Sequence, residues 1–189
     1  MRPAIHPVIL PVSAADQRLV RRSKVEALRR RARQAATQSA LHGGWLLDTF
    51  EKDADGVPLP SNGIYWSLSH KEDMVAAVVA PWPVGIDLEK MRPITPGLYK
   101  RLADASEWAL APRKDEVIFF RYWTAKEAVL KAVGKGLTAL SHCRIERIVD
   151  DLHLRLIYEK TPWTVTHRWI GTDHLVTVTS ENTVIQWPE

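Results

Sequence analysis

The chain has a single cysteine, Cys143, in 189 residues. No internal disulfide is possible, and a reducing, cytoplasmic setting fits. Long apolar runs are also missing. The longest, from Met74 to Ile86, is broken by Pro81 and Pro83, and a membrane-spanning helix needs about 20 such residues. No membrane association is therefore expected. The opening stretch R-P-A-I-H-P-V-I-L-P-V-S-A-A has the faint look of a signal peptide, but its prolines interrupt the apolar part, so it reads as an ordered arm. There is no internal repeat and no low-complexity linker. Neither charge dominates: 26 Lys and Arg face 22 Asp and Glu, a net of +4. That balance suits an anionic ligand or an acidic partner and does not demand nucleic acid. Apolar residues make up 46%, enough to bury a core.

Residues 14 to about 42 read as a helix. Val25, Leu28, Ala32, Ala35 and Ser39 mark its inner face, and Gly43-Gly44 its stop. It carries a dense basic run that includes Arg18, Arg21, Arg22, Lys24, Arg29, Arg30, Arg31 and Arg33. Most of these suit a solvated face, and a few suit a phosphate clamp. Strands are expected at 45–51, 64–69, 75–79 and 84–89, with a D-A-D-G turn at 53–56. The almost wholly apolar segment 75–79 is expected to be central in its sheet. Helices follow at about 97–104, 106–110 and 114–133, then strands at 144–149, 153–158, 163–170, 174–179 and 183–187. Helices then strands, twice over, predict an α+β fold in two lobes, residues 1–90 and 91–189, that together form one compact unit.

Three stretches carry chemistry. In G-I-D-L-E, strand alternation sends Asp87 and Glu89 to one face and Ile86 and Leu88 to the other. Paired carboxylates repel, and a divalent cation relieves the repulsion; all-oxygen ligation suits Mg²⁺. A polar outer strand face is the plain alternative. In W-T-A-K-E-A-V-L-K-A-V-G-K-G-L, from Trp123 to Leu137, Glu127 and Lys131 lie one helical turn apart, and Gly134 is the left-handed cap. Glu127 adds a third carboxylate, while Lys131 is placed to neutralise a leaving phosphate or, more plainly, to form a solvated pair with Glu127. Trp123 reads as a core anchor for the helix. In S-L-S-H, His70 ends a strand with Ser69 beside it; it suits a surface role or a phosphate or ribose contact.

Taken in this order and spacing, the three stretches resemble the 4′-phosphopantetheinyl transferases of the larger, two-lobed Sfp type. The resemblance covers roughly residues 55–140. It implies two similar α+β lobes related by a pseudo-two-fold, with coenzyme A in the cleft between them and both halves in one chain, hence a monomer. It implies Mg²⁺ on Asp87, Glu89 and Glu127, with Glu127 and Lys131 catalytic. It implies cofactor contacts from Ser69, His70, Lys126, Gly56 and Pro58. Val57 stands where the family's G-K-P segment has lysine, which removes a charge from that loop. Early basic residues serve the 3′-phosphate in the family, and Arg21, Arg22 and Lys24 are the candidates here. The implied reaction moves the phosphopantetheine arm of coenzyme A to a serine of an apo acyl or peptidyl carrier protein and releases 3′,5′-ADP. Two rival readings are a basic RNA- or nucleotide-binding protein, which leaves the carboxylates unexplained, and a silent relative that only holds carrier proteins.

Overall fold

The computed structural model describes residues 4–188; of the opening arm, Arg2 and Pro3 lie outside them. The fold is α+β, built on two antiparallel sheets. Strands β1 (Val8–Pro11), β2 (Tyr65–His70) and β3 (Met74–Ala80) form the first, in the order β1-β3-β2. Strands β4 (Ile86–Lys90), β5 (Cys143–Ile148), β6 (His153–Tyr158), β7 (Thr161–Ile170) and β8 (His174–Thr179) form the second, in the order β4-β8-β7-β6-β5. Among the described residues no helix is long and apolar enough to cross a membrane.

β3 is central, as its unbroken apolar run predicts, because both its faces are covered. Val75, Ala77 and Val79 pack with Leu28, Ala32, Ala35, Ala36 and Ala40 of helix α2 (Arg21–Gly43). Ala76, Val78 and Ala80 pack with Ile86, Leu88, Val176 and Val178 of the second sheet. On the far side of that sheet lies helix α5 (Glu116–Ala132), whose Phe120, Ala125, Val129 and Leu130 share a core with Ile145, Leu154, Leu156, Val165 and Leu175. The layers therefore run helix, sheet, sheet, helix.

Several expectations are corrected. The first helix is interrupted: α1 (Ala14–Gln17) stops, Val20 is extended, and α2 restarts at Arg21, so Asp16 reaches Arg30 at 3.3 Å. Val25 is 41% exposed, and Ala27, Ala36 and Ala40 join the inner face instead. Residues 45–51 form no strand. Trp45, Leu47 and Phe50 pack onto the α2 core, and the Asp48 and Thr49 N–H groups donate to Ser61 Oγ rather than to a neighbouring strand. Residues 183–187 make only a single parallel bridge, Ile185 to Ile5. β1, expected only as an arm, pairs along β3. The short helices α3 (Pro96–Leu102) and α4 (Ala105–Trp108) lie close to their expected places. The chain changes sheets at 81–85, so β4 hydrogen-bonds into the second sheet.

Candidate active site

The site forms where β2, β4 and α5 meet. Ser67 Oγ accepts from the Ile86 N–H and Thr179 Oγ1 from the Gly85 N–H, each at 3.0–3.1 Å, which fixes the start of β4 against both neighbours. Gly85 allows the close approach of α5: a Cβ there would overlap the Ala128 carbonyl. A strand and a helix in such contact bring Asp87 and Glu89 under Trp123, Glu127 and Lys131.

Ile86 and Leu88 are fully buried on the opposite face, so the alternation expected of G-I-D-L-E is present. Asp87 is 4% exposed and accepts at Oδ1 from Ser69 Oγ at 2.9 Å and from Lys131 Nζ at 2.7 Å. Its Oδ2 is buried without a partner. Glu89 accepts at Oε1 from Trp123 Nε1 at 3.0 Å, and its Oε2 pairs with Lys71 at 2.7 Å. Burial first, then the Asp87 charge, raises the Glu89 pKa against the pull of Lys71. Glu127 is the least compensated of the three. Its Oε1 is buried without a partner, and burial together with the charge of Asp87 pushes its pKa up to about 7. Lys131 also donates to the Ile86 carbonyl at 3.0 Å. It pairs with Asp87 across the site, not with Glu127 on its own helix.

Among the described residues, no three acidic, histidine or cysteine groups already stand close enough together to hold a metal ion. The chemistry of the donor set nevertheless suits a hard divalent cation: three carboxylates and two buried oxygens without hydrogen-bond partners. A lysine ammonium group occupies one oxygen of each acid of the β4 pair, and the Trp123 indole N–H the second oxygen of Glu89.

A second group of side chains supplies positive charge beside the carboxylates. A cavity of about 250 Å³ is lined by Lys52, the loop Asp55–Pro58, Trp66, Lys131 and the turn from Gly134 to Gly136. Gly56 and Pro58 are thus on its wall. The loop is held by Asp53, whose side chain accepts from the Asp55 and Val57 N–H groups. Gly134 has φ +66° and caps α5, with the Lys135 N–H donating to the Leu130 carbonyl at 2.8 Å. Burial, then Arg29, Arg33 and Lys131, depresses the Lys52 pKa. His70 reaches solvent at the end of β2. Atoms packed about its ring, then Lys131, Lys71, Arg29 and Lys52, hold its pKa below the usual imidazole value.

Four expected residues are not brought to this site. Lys126 is 1% exposed, pairs with Glu107 at 2.7 Å and donates to the Leu102 carbonyl at 2.8 Å, so it faces the core. Arg22 pairs with Glu26 on the open surface, Lys24 pairs with Glu72, and Arg21 starts α2 at φ 51°. The α2 residues whose charge reaches the cavity are Arg29 and Arg33, two and three turns further along. Helical spacing from Leu28 and Ala32 was the available signal. Trp123 does pack against the core, and its indole N–H also orients Glu89. Lys71 was not singled out at all; nothing in S-H-K-E-D says that the chain turns it back onto β4.

Residues 83–179, just over half of the chain, match the family model of the 4′-phosphopantetheinyl transferase superfamily. The chain belongs to that superfamily. Among relatives, it is 35% identical over 97 residues to 4′-phosphopantetheinyl transferase psf-1 of Bacillus pumilus, covering 47% of this chain and 41% of that protein. It is 35% identical over 108 residues to 4′-phosphopantetheinyl transferase HetI of a Nostoc strain, covering 51% and 46%. It is 36% identical over 78 residues to 4′-phosphopantetheinyl transferase Sfp of Bacillus subtilis, covering 39% and 35%. The matched stretch spans less than half the length of each of these relatives. The stretch that matches the family model, residues 83–179, contains β4 and α5, hence all three carboxylates and Lys131.

Proposed function

We propose that the protein transfers the 4′-phosphopantetheine arm of coenzyme A to a serine of an apo acyl or peptidyl carrier protein and releases 3′,5′-ADP. The observation that carries the reading is the meeting of three features at one place: buried carboxylates on β4 and α5, an ammonium set among them, and a cavity lined by Lys52, Lys131 and Lys135 beside them. Asp87, Glu89 and Glu127 would hold Mg²⁺, which when bound offsets charge on the diphosphate. The serine Oγ–phosphorus bond forms at the β-phosphate as the bridging oxygen leaves with 3′,5′-ADP. Glu127, or a water it orients, takes the serine proton. Lys131 meets the negative charge that grows on the departing phosphate.

Ser69 orients Asp87 in this reading, and His70, Lys52, Arg29 and Arg33 take the phosphates at the nucleotide end. The Gly56–Pro58 loop covers the adenine. The charges of Arg29, Lys131 and their neighbours converge on Lys52 and His70, which suits an anion. The halves 1–90 and 91–189 act as one cytoplasmic, monomeric unit with a pseudo-two-fold relation, and β4 of the first half pairs with β8 of the second. An acidic carrier would meet a chain of net charge +4 at a rate that falls with salt.

The test is incubation of an apo carrier protein with the full chain, coenzyme A and Mg²⁺, read by mass spectrometry. A gain of one phosphopantetheine on serine is expected, lost on chelation and in Asp87→Ala. No gain with any fatty-acid, polyketide or peptide carrier, from a folded protein that binds coenzyme A, would favour a silent binding role. Tighter binding to generic RNA than to coenzyme A would favour a nucleic-acid role.

A further inference from the structure

The two acids of β4 are each occupied by an ammonium group, but the two lysines are held differently. Lys131 has two acceptors, Asp87 Oδ1 and the Ile86 carbonyl. The Lys71 side chain has one polar partner among the described residues, Glu89 Oε2 at 2.7 Å. Its backbone is fixed, since its N–H donates to the Met74 carbonyl at 2.8 Å, while its side chain remains 32% exposed. Lys71 also lines a second cavity, of about 200 Å³, with Glu89, Arg92, Phe119 and Trp123. A four-carbon stem beside open space moves easily. Glu89 itself does not depend on Lys71 for orientation, because Trp123 holds the other oxygen, Oε1.

We propose that Lys71 is a placeholder for the metal. It occupies Glu89 Oε2 while the site is empty and turns to the phosphate oxygens of the ligand when metal and diphosphate arrive. The inference rests on reading Asp87, Glu89 and Glu127 as the cation site. Charge balance drives the exchange. Three carboxylates share two ammonium groups, so a divalent cation alone brings four positive charges against three negative ones. Lysine and metal then compete for Glu89. A diphosphate supplies the missing negative charge and gives the displaced ammonium a new partner. Metal and diphosphate therefore bind cooperatively, and the coupling is the same whichever binds first.

Mn²⁺ titration of the full chain, by calorimetry or electron paramagnetic resonance, tests this with and without coenzyme A. Wild type is expected to bind Mn²⁺ weakly alone and more tightly with coenzyme A. Lys71→Met is expected to bind Mn²⁺ alone roughly two- to fivefold more tightly, as for removal of one partly exposed charge partner, and to lose most of the gain from coenzyme A. Lys71→Arg should stay near wild type. A lysine that merely stayed beside Glu89 would, on removal, raise Mn²⁺ affinity by the same factor with and without coenzyme A, so the loss of the gain from coenzyme A is the deciding readout. Thermal melts establish that each variant is folded, and Lys71→Gln repeats the measurement with a polar substitute. Unchanged or weaker Mn²⁺ binding by Lys71→Met and Lys71→Gln, with Asp87→Asn abolishing it, overturns the placeholder and leaves the cation site standing. Mn²⁺ binding by Asp87→Asn equal to that of wild type overturns both.

Discussion

Lys126 and Lys131 are five residues apart on one helix, and their surroundings are opposite. Lys126 is sealed in the core with two acceptors, one of them a carboxylate. Glu107 Oε1 and the Leu102 carbonyl accept from it, and Glu107 in turn accepts from the Ile145 and Asp104 N–H groups. Lys131 is 28% exposed and sits among three carboxylates that carry two buried oxygens without hydrogen bonds. The first cluster is complete and its charges cancel. The second is left incomplete, with its carboxylates crowded. A protein retains such a deficit where a ligand makes it good, so the pair separates the part of α5 that is closed into the core from the part that the proposed reaction would use.

The comparison is broken most severely at Lys126. Lys126→Met leaves the Glu107 carboxylate in the core without its counter-charge, and about 3–5 kcal/mol of stability should be lost. Equilibrium unfolding in denaturant measures this; a loss below about 1 kcal/mol would show that the pair is not structural. At Lys131 the cost should fall on turnover instead. Lys131→Ala is expected to lower kcat on the order of a hundredfold, with less effect on coenzyme A affinity and a stability loss smaller than at Lys126, because the Lys131 side chain is 28% exposed. Transfer kinetics beside thermal melts separate the two. An unchanged kcat would return Lys131 to a plain counter-ion for Asp87.

Glu127→Gln sharpens the contrast by changing stability in the other direction. The Glu127 pKa of about 7 lies above its unfolded value, so ionising it works against the fold. At pH 8, in chelator, the variant should gain on the order of 1–2 kcal/mol of stability while losing transfer. No gain would mean that the site already compensates its third acid.

The underside of α5 offers the mildest test. Thr124 donates to the Phe120 carbonyl at 2.8 Å and accepts from Thr177 at 2.6 Å, so Thr177 in turn must accept from His167 Nδ1–H, also at 2.6 Å. Complete burial, then Arg121, holds the His167 pKa well below 6.5. The unfolded chain therefore binds a proton below pH 6.5 that the folded chain refuses. Stability is fully present above that pH and falls as pH drops, by at most about 1.4 kcal/mol per unit. Denaturant midpoints between pH 7 and 5 should show the slope, and His167→Gln should flatten it.

How much of this was legible in the sequence depended on the range of the interactions. Helix α5 was readable from its apolar period and Gly134 because both signals are local. The strands of the second sheet were readable from β-branched and aromatic residues in short runs. Trp45 to Glu51 carries the same strand-like alternation, but there the apolar side chains are buried against α2 while the backbone donors turn to Ser61, thirteen and twelve residues away. The break between α1 and α2 was hidden because the basic run continues across it.

The sequence by itself determined the α+β class, the common face of Asp87 and Glu89, the turn between Glu127 and Lys131, and the family, since each rests on residue order and the periods of strand and helix. Only the tertiary structure decided which charges meet. It paired Lys131 with Asp87, folded Lys71 back onto Glu89, buried Lys126 with Glu107, and brought the charges of Arg29 and Arg33, not of Arg21, Arg22 or Lys24, to bear on Lys52. Charge pairing depends on distance through space, and partners such as Lys131 and Asp87 lie 44 residues apart in sequence. No local pattern records that separation; the packing of β4 against α5 at Gly85 sets it.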